Sequence, residues 1–329
     1  MRLRQETNIG EQSVRNRGRQ VLRARLRATY AFSDALAAGA QLVIGDPDDP
    51  NSTDLTLTGF DDDLPVSLDQ AWLRYRIGGL ELHGGKIPNP FTRTDMVWDG
   101  DVFPEGVSGT HTVRVSDQAS LRLSGLYFIV DEAAAGADSR MVGGQAAFET
   151  GAGPEWRFEA ALGYYDYRLS SLGGADIGDF RTNRQTSDGR YLSDFDLLDA
   201  VGSATYSGLG PRWPVRVAVD YVQNFGAATF VNEGLAVDLG LGRASAGGDW
   251  RLGYGFARVE TDAVLAAFAQ DNIPLGSNYL LHAVSLDHML RAGVLLNATW
   301  FHYRPLDAAP GLDPADWRDR VRLNLQVSF

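Results

Sequence analysis

The five histidines are the residues that could most readily support acid–base or metal chemistry. They are His83, His111, His282, His288 and His302. No pair of them has the His-Glu-x-x-His spacing of a zinc protease. Asp287 and His288 follow Ser285, but adjacent residues of an extended strand point to opposite faces. Because cysteine is absent, thiol nucleophiles and thiolate metal sites are excluded, and we expect neither an enzyme nor a cofactor.

An aspartate-rich segment between residues 46 and 63 is the one stretch that could attract a hard cation. Calcium takes several carboxylate oxygens as ligands. The weak candidate ligands are Asp46, Asp48, Asp49, Asp61, Asp62 and Asp63. Their spacing does not match an EF-hand, so a solvated acidic loop is the alternative that we favour, and no metal is predicted.

Arginines recur at alternate positions in several segments. On an extended strand this spacing places them on one face, because the side chains alternate. The arginines concerned are Arg2, Arg4, Arg23, Arg25, Arg27, Arg74, Arg76, Arg318, Arg320 and Arg322. We call these ten residues the basic wall. Such a face needs water or carboxylates around it.

The elements that position these arginines are predicted by apolar–polar alternation along the whole chain. In the last segment, Val321, Leu323, Leu325 and Val327 alternate with polar residues. Sixteen segments show the pattern: 1–8, 17–32, 35–46, 67–77, 80–88, 106–115, 119–131, 139–150, 155–168, 195–207, 213–226, 234–246, 249–261, 277–288, 291–304 and 317–329. Short and long connections alternate between them, which is typical of bacterial outer-membrane barrels.

We therefore predict an all-β fold, a closed antiparallel transmembrane β-barrel of about 16 strands with short periplasmic turns and long extracellular loops. Residues 1–329 would form one domain. Alternation hides apolar surface from average hydropathy, which is only −0.19. A soluble all-β sandwich is the alternative. No signal peptide precedes the first alternating residues, and we expect that one has been removed.

Aromatic residues near the short turns support a membrane location. They are Phe32, Trp156, Trp213, Trp250 and Phe329. Aromatic side chains form girdles at the membrane interfaces of such barrels. This pattern predicts the bacterial outer membrane, with its lipids and lipopolysaccharide as partners.

Closure of the barrel would bring the basic wall together, because the first and last strands become neighbours. On the lipid side each arginine would cost roughly 2–4 kcal/mol at the midplane, so the lumen is the expected side. The long segment 89–105 is expected to fold inward as a constriction loop, by analogy with general porins. Its acids are Asp95, Asp99, Asp101 and Glu105. Acids facing arginines would create a transverse field, and the arginines would concentrate anions.

The alternative for the basic wall is structural. Inward acids would then pair the arginines and leave little net field. The candidate partners are Glu6, Glu81, Glu159 and Asp220.

Residues 84–109 resemble the bacterial "putative porin" family, in the neighbourhood of the phosphate-selective porin O and P group. The resemblance rests on Gly85-Lys86, Asn89-Pro90-Phe91, Trp98-Asp99-Gly100-Asp101 and Pro104-Glu105-Gly106. Residues 68–73, 260–268 and 276–279 resemble that family too. The resemblance implies a channel across the outer membrane, and it implies no substrate.

We therefore expect a porin for passive diffusion of small hydrophilic solutes or ions, with anion preference from an arginine-lined lumen. The alternative is a non-conducting barrel that serves as a scaffold, an adhesin or the membrane part of a complex. By analogy with sixteen-stranded porins, a homotrimer is expected. Nucleic acid is an unsuitable partner because the net charge is −12.

Overall fold

The computed structural model describes residues 1–10, 16–45, 49–57, 63–170, 180 and 182–329. These residues contain seventeen strands. They are β1 (Arg2–Ile9), β2 (Arg17–Ala31), β3 (Leu36–Ile44), β4 (Leu55–Thr56), β5 (Val66–Ile77), β6 (Leu80–Lys86), β7 (Glu105–Arg114), β8 (Ala119–Asp131), β9 (Ser139–Ala152), β10 (Trp156–Arg168), β11 (Asp196–Tyr206), β12 (Val215–Asn224), β13 (Glu233–Gly242), β14 (Trp250–Val259), β15 (Tyr279–Arg291), β16 (Val294–Pro305) and β17 (Arg318–Val327).

The strands form one antiparallel sheet that closes on itself. Apart from β4, consecutive strands pair around the sheet, so that β3 pairs with β5. The last strand, β17, pairs with β1, with Arg2 opposite Gln326 and Ile9 opposite Asp319. The prediction of a closed barrel is confirmed, and each of the sixteen predicted segments contains a strand. The sequence did not predict β4, a two-residue strand that pairs with Val21 and Leu22 of β2.

Alternation sorts the side chains between the two faces of the closed sheet. On β17, Leu323 is 54% exposed while its neighbour Arg322 is 3% exposed. In a soluble protein that exposure of leucine would be unfavourable, but an outer face of this kind suits a lipid environment. No helix in the described ranges is long and apolar enough to cross a membrane.

Trp156, Trp213 and Trp250 are on the outer face, 43–45% exposed, and lie beside the short turns. Phe32 and Phe329 are also exposed, at the ends of β2 and β17. This placement is compatible with an aromatic girdle, which stays a prediction.

Two loops fill much of the barrel interior. The β6–β7 loop (residues 87–104) and the β14–β15 loop (residues 260–278) are largely buried and contribute to one apolar cluster. Trp98 of the first stacks on Phe268 of the second, with ring centroids 6.1 Å apart and planes at 7°. The backbone N–H of Asp99 donates to the carbonyl of Phe268 at 2.8 Å. Two loops therefore pack together inside the barrel, whereas the sequence pointed to one inward loop.

Candidate functional site

Asp54 joins the first two strands of the basic wall. It lies just before β4, and its side chain is 8% exposed. Arg2 and Arg4 donate hydrogen bonds to its carboxylate, and Arg23 lies 3.7 Å away. Burial alone would raise the pKa of Asp54, but these guanidinium groups hold it below its ordinary value. The sequence grouped Asp54 with the acidic loop and did not signal this role.

Glu6 is the second centre of the basic wall, and it has no exposed surface. Arg322 donates from Nε at 2.6 Å, and Arg19 lies 2.7 Å from the same carboxylate. The guanidinium groups of Arg320 and Arg4 lie 3.6 and 3.8 Å from the Glu6 carboxylate. Glu6 of β1 therefore joins β17 to β1 by charge pairing with Arg320 and Arg322.

Asp101 fixes the β6–β7 loop to the basic wall. Its carboxylate accepts a hydrogen bond from Arg23 and forms an ion pair with Arg25 at 2.8 Å. Arg25 also lies 3.6 Å from Asp69, a buried residue of β5. The predicted loop acid and the predicted arginines are thus in direct contact and are not separated by water.

The β17 arginines contact backbone and amide groups of loops. Arg322 donates to Asn272 Oδ1 at 2.9 Å, and Arg320 donates to the Asn272 carbonyl at 3.0 Å. Arg318 donates to the carbonyl of Gly311 at 3.1 Å. The β14–β15 loop therefore covers this part of the wall.

Three predicted members lie outside this network. Arg27 is exposed and donates to Gln41 at 2.9 Å. Arg76 pairs with Glu81, and Arg74 has no ion pair within 4.0 Å among the described residues. The ten arginines are therefore not one uniform surface.

The other predicted loop acids have different surroundings. Asp95 is 54% exposed, and its nearest cation is Arg93 at 3.8 Å. Asp99 is 5% exposed, and burial together with Asp271 raises the pKa of its carboxyl. Glu105 belongs to β7 and pairs with Lys86 at 2.7 Å.

The remaining inward acids hold the β6–β7 loop rather than arginines of the wall. Thr92 donates from its hydroxyl to Glu159 at 2.9 Å, and Thr94 donates to Asp220. The Thr92 backbone also exchanges two 2.8 Å hydrogen bonds with Gln145. The loop is therefore fixed to the barrel wall at both its beginning and its end.

One open space of the interior lies next to the β17 end of the basic wall, because Thr299 and Phe301 of β16 line it and pair with Arg322 and Arg320. A cavity of about 700 Å³ is lined by β12–β16 and by both inward loops. Strands β13 and β14 leave space there because several of their inward residues are glycines, which have no side chain. These are Gly240, Gly242, Gly253 and Gly255. A Cβ atom at Gly240 would meet nothing closer than 4.0 Å. Glycine at alternate positions of two paired strands is the sequence signal that could have located this space.

Charged side chains of both signs line this cavity. Arg216 and Arg251 project from β12 and β14, and Asp238 projects from β13. Asp95 reaches the same cavity from the β6–β7 loop. The sequence predicted Asp95 as a site residue and did not predict the other three.

Four of the calcium candidates, Asp46, Asp48, Asp61 and Asp62, lie outside the described residues. Of the remaining two, Asp63 is exposed, and Asp49 accepts a hydrogen bond from the backbone of Asn51 at 3.3 Å. Within the described ranges, no group of three or more His, Asp or Glu side chains is arranged to hold a metal ion.

A closed antiparallel barrel with an inward loop defines the porin class of outer-membrane proteins. The chain belongs to the family described as "Putative porin", whose model matches residues 6–175, more than half of the sequence. The protein is thus a porin of the bacterial outer membrane, and its fold and family are those of a channel rather than of an enzyme.

Solved porin structures share the fold at low sequence identity. OprB of Pseudomonas putida is 13% identical, with a TM-score of 0.65, over 100% of this chain and 93% of that chain. OmpT of Vibrio cholerae, in a trimer form, is 10% identical, with a TM-score of 0.57, over 99% of this chain and 97% of that chain. A mutant of the Rhodopseudomonas blastica porin is 11% identical, with a TM-score of 0.53, over 100% and 98%. No curated protein matches the chain significantly.

Proposed function

We propose that the protein is a passive diffusion channel for small hydrophilic solutes and ions. Its open path follows the inner face of β12–β15 and borders the β17 end of the basic wall. The observation that carries this proposal is the cavity of about 700 Å³ beside the inward glycines of β13 and β14. A diffusion path needs an aqueous space lined by polar groups, and charged and polar side chains line this cavity.

Anion preference is the finer part of the proposal. Six arginines of the basic wall, together with Arg19, form direct ion pairs with four carboxylates, so arginines outnumber these carboxylates. Two further arginines, Arg216 and Arg251, line the cavity itself. Arginine-rich surfaces attract anions into a narrow aqueous space.

Planar-bilayer recording tests both parts. We expect discrete conductance steps, and in a salt gradient a reversal potential on the anion-selective side. Replacing Arg216 and Arg251 together by glutamate should shift the reversal potential toward cations. Arg157→Glu is the matched control, because Arg157 is 74% exposed and lies at a short turn outside the cavity.

Silence from well-folded protein would reject the channel and favour the non-conducting barrel. Conductance with cation selectivity would reject the anion preference but not the channel.

We also propose a homotrimer, which the trimer form of OmpT supports by analogy only. Chemical cross-linking in detergent should then give a three-subunit product.

A further inference from the structure

We propose that the cavity beside β12–β15 is a binding subsite for small zwitterionic solutes, which carry one ammonium and one carboxylate group. This inference rests on the proposed channel function and specifies its solute class. A volume of about 700 Å³ falls within the usual range of small-molecule sites. The lining carries charges of both signs, which is the requirement for recognising such a solute.

The cationic side chains of the cavity are available to a carboxylate. Arg251 is 54% exposed, and its nearest carboxylate, Asp287, lies 4.0 Å away. Arg216 is exposed and has no ion pair within 4.0 Å among the described residues. Two guanidinium groups without close partners can bind a carboxylate through charge-assisted hydrogen bonds.

The anionic side chains are available to an ammonium group. Asp95 is 54% exposed, with Arg93 no closer than 3.8 Å. Asp238 is exposed, and no cation of the described chain lies within 4.0 Å of it. Asp95 and Asp238 also interact electrostatically with each other, so a cation between them relieves repulsion.

The remaining lining selects against other solute classes. A solute with a carboxylate alone can pair with Arg216 and Arg251 but leaves Asp95 and Asp238 without a cationic partner, whereas a zwitterion pairs with both sets. Tyr279 and Phe301 are only 1% and 7% exposed, so they offer no open ring face for stacking a sugar. Met96 and Leu281 also line the cavity and give it an apolar part that suits a short hydrocarbon chain.

Single-channel current recording with four matched solutes tests the inference. The solutes are 4-aminobutyrate, butyrate, butylammonium and butyramide, which have similar lengths and differ in charge. We expect 4-aminobutyrate to interrupt the current at a concentration at least about tenfold lower than the other three, a difference of about 1.4 kcal/mol. Asp95→Asn and Arg216→Gln should each abolish most of this difference, and Arg157→Gln should leave it unchanged.

The outcomes separate this inference from the proposed function. Ion conductance with equal block by 4-aminobutyrate and butyramide would overturn the subsite and leave the channel standing. Unchanged block in both Asp95→Asn and Arg216→Gln would do the same. Absence of any conductance would overturn the channel and the subsite together. Heat-modifiable gel mobility of each variant confirms folding before its block is interpreted.

Discussion

Asp54 shows how much one buried carboxylate can contribute to this barrel. It contacts three arginines from β1 and β2 in a region with little solvent. Removal of one partner from a buried ion cluster leaves uncompensated charge, which typically costs 3–5 kcal/mol. The interior acids therefore stabilise the fold and also contribute to the electric field inside the barrel.

We predict that Asp54→Ala lowers the unfolding free energy by about 3 kcal/mol or more. The measurement is denaturant unfolding in detergent, followed by the change in gel mobility. Asp63→Ala is the control, because Asp63 is an exposed loop residue. Equal stability of the two variants would show that the arginines do not depend on Asp54.

For Asp99 we predict that its contribution to folding stability depends on pH with the opposite sign to that of an ordinary salt-bridged acid. Burial and the nearby Asp271 raise the pKa of its carboxyl in the folded protein. Above the ordinary value of 3.8, the unfolded chain loses this proton while the folded chain keeps it. Stability contributed by this residue is therefore highest at low pH and decreases as the pH rises toward the raised pKa.

Asp99→Asn should flatten that dependence. We expect the variant to gain stability over the unmodified protein between pH 5 and pH 8, measured as the difference in unfolding temperature at each pH. A constant difference across this range would contradict the assignment. Asp117→Asn serves as a control, since Asp117 is an exposed residue of the short turn between β7 and β8.

The two inward loops act as one packed unit at the scale of elements. Phe268 contacts Trp98, Phe128 and Tyr167, which belong to the other loop and to the barrel wall. Truncating a buried phenylalanine typically costs 3–5 kcal/mol. The same truncation should enlarge the aqueous space, because this ring separates loop from wall.

We therefore predict that Phe268→Ala lowers the unfolding temperature and raises single-channel conductance or its noise. Phe230→Ala is the matched control, because Phe230 is fully exposed at 101%. A variant with unchanged conductance would indicate that the loop pair does not limit the path.

The inward glycines of β13 lead to a complementary prediction about conductance. An indole at position 240 has room to fold into the cavity, because the nearest atom to a Cβ there is 4.0 Å away. Gly240→Trp should at least halve the conductance without unfolding the barrel. Leu239→Trp is the control, since Leu239 is an exposed residue on the outer face of the same strand. Equal conductance in both variants would remove β13 from the path.

The sequence predicted the strands well because alternation is local, and one residue in two reports the face it occupies. It placed Arg2, Arg4 and Arg322 inside the barrel for the same reason. It did not predict the inward path of the β14–β15 loop, which depends on contacts such as Trp98 with Phe268. Those contacts join residues about 170 positions apart in the chain, and no local pattern encodes them.

At the scale of the whole molecule, the barrel divides its interior between two tasks. The basic wall of β1, β2 and β17 is paired with acids and covered by loops. Strands β12–β15, which precede β16 and β17 in the sheet, carry small inward residues beside the cavity. The paired wall therefore mainly stabilises the barrel, and the proposed passage follows the adjoining strands β12–β15.

Thiol labelling during bilayer recording tests this division most directly, because the chain has no cysteine of its own. Single variants Gly240→Cys and Ser285→Cys place a thiol in the proposed path, and Asn8→Cys places one in the covered wall. The account predicts that a charged methanethiosulfonate reagent causes an irreversible fall in current for the first two and none for the third. Block through Asn8→Cys, with no effect at positions 240 and 285, would contradict it.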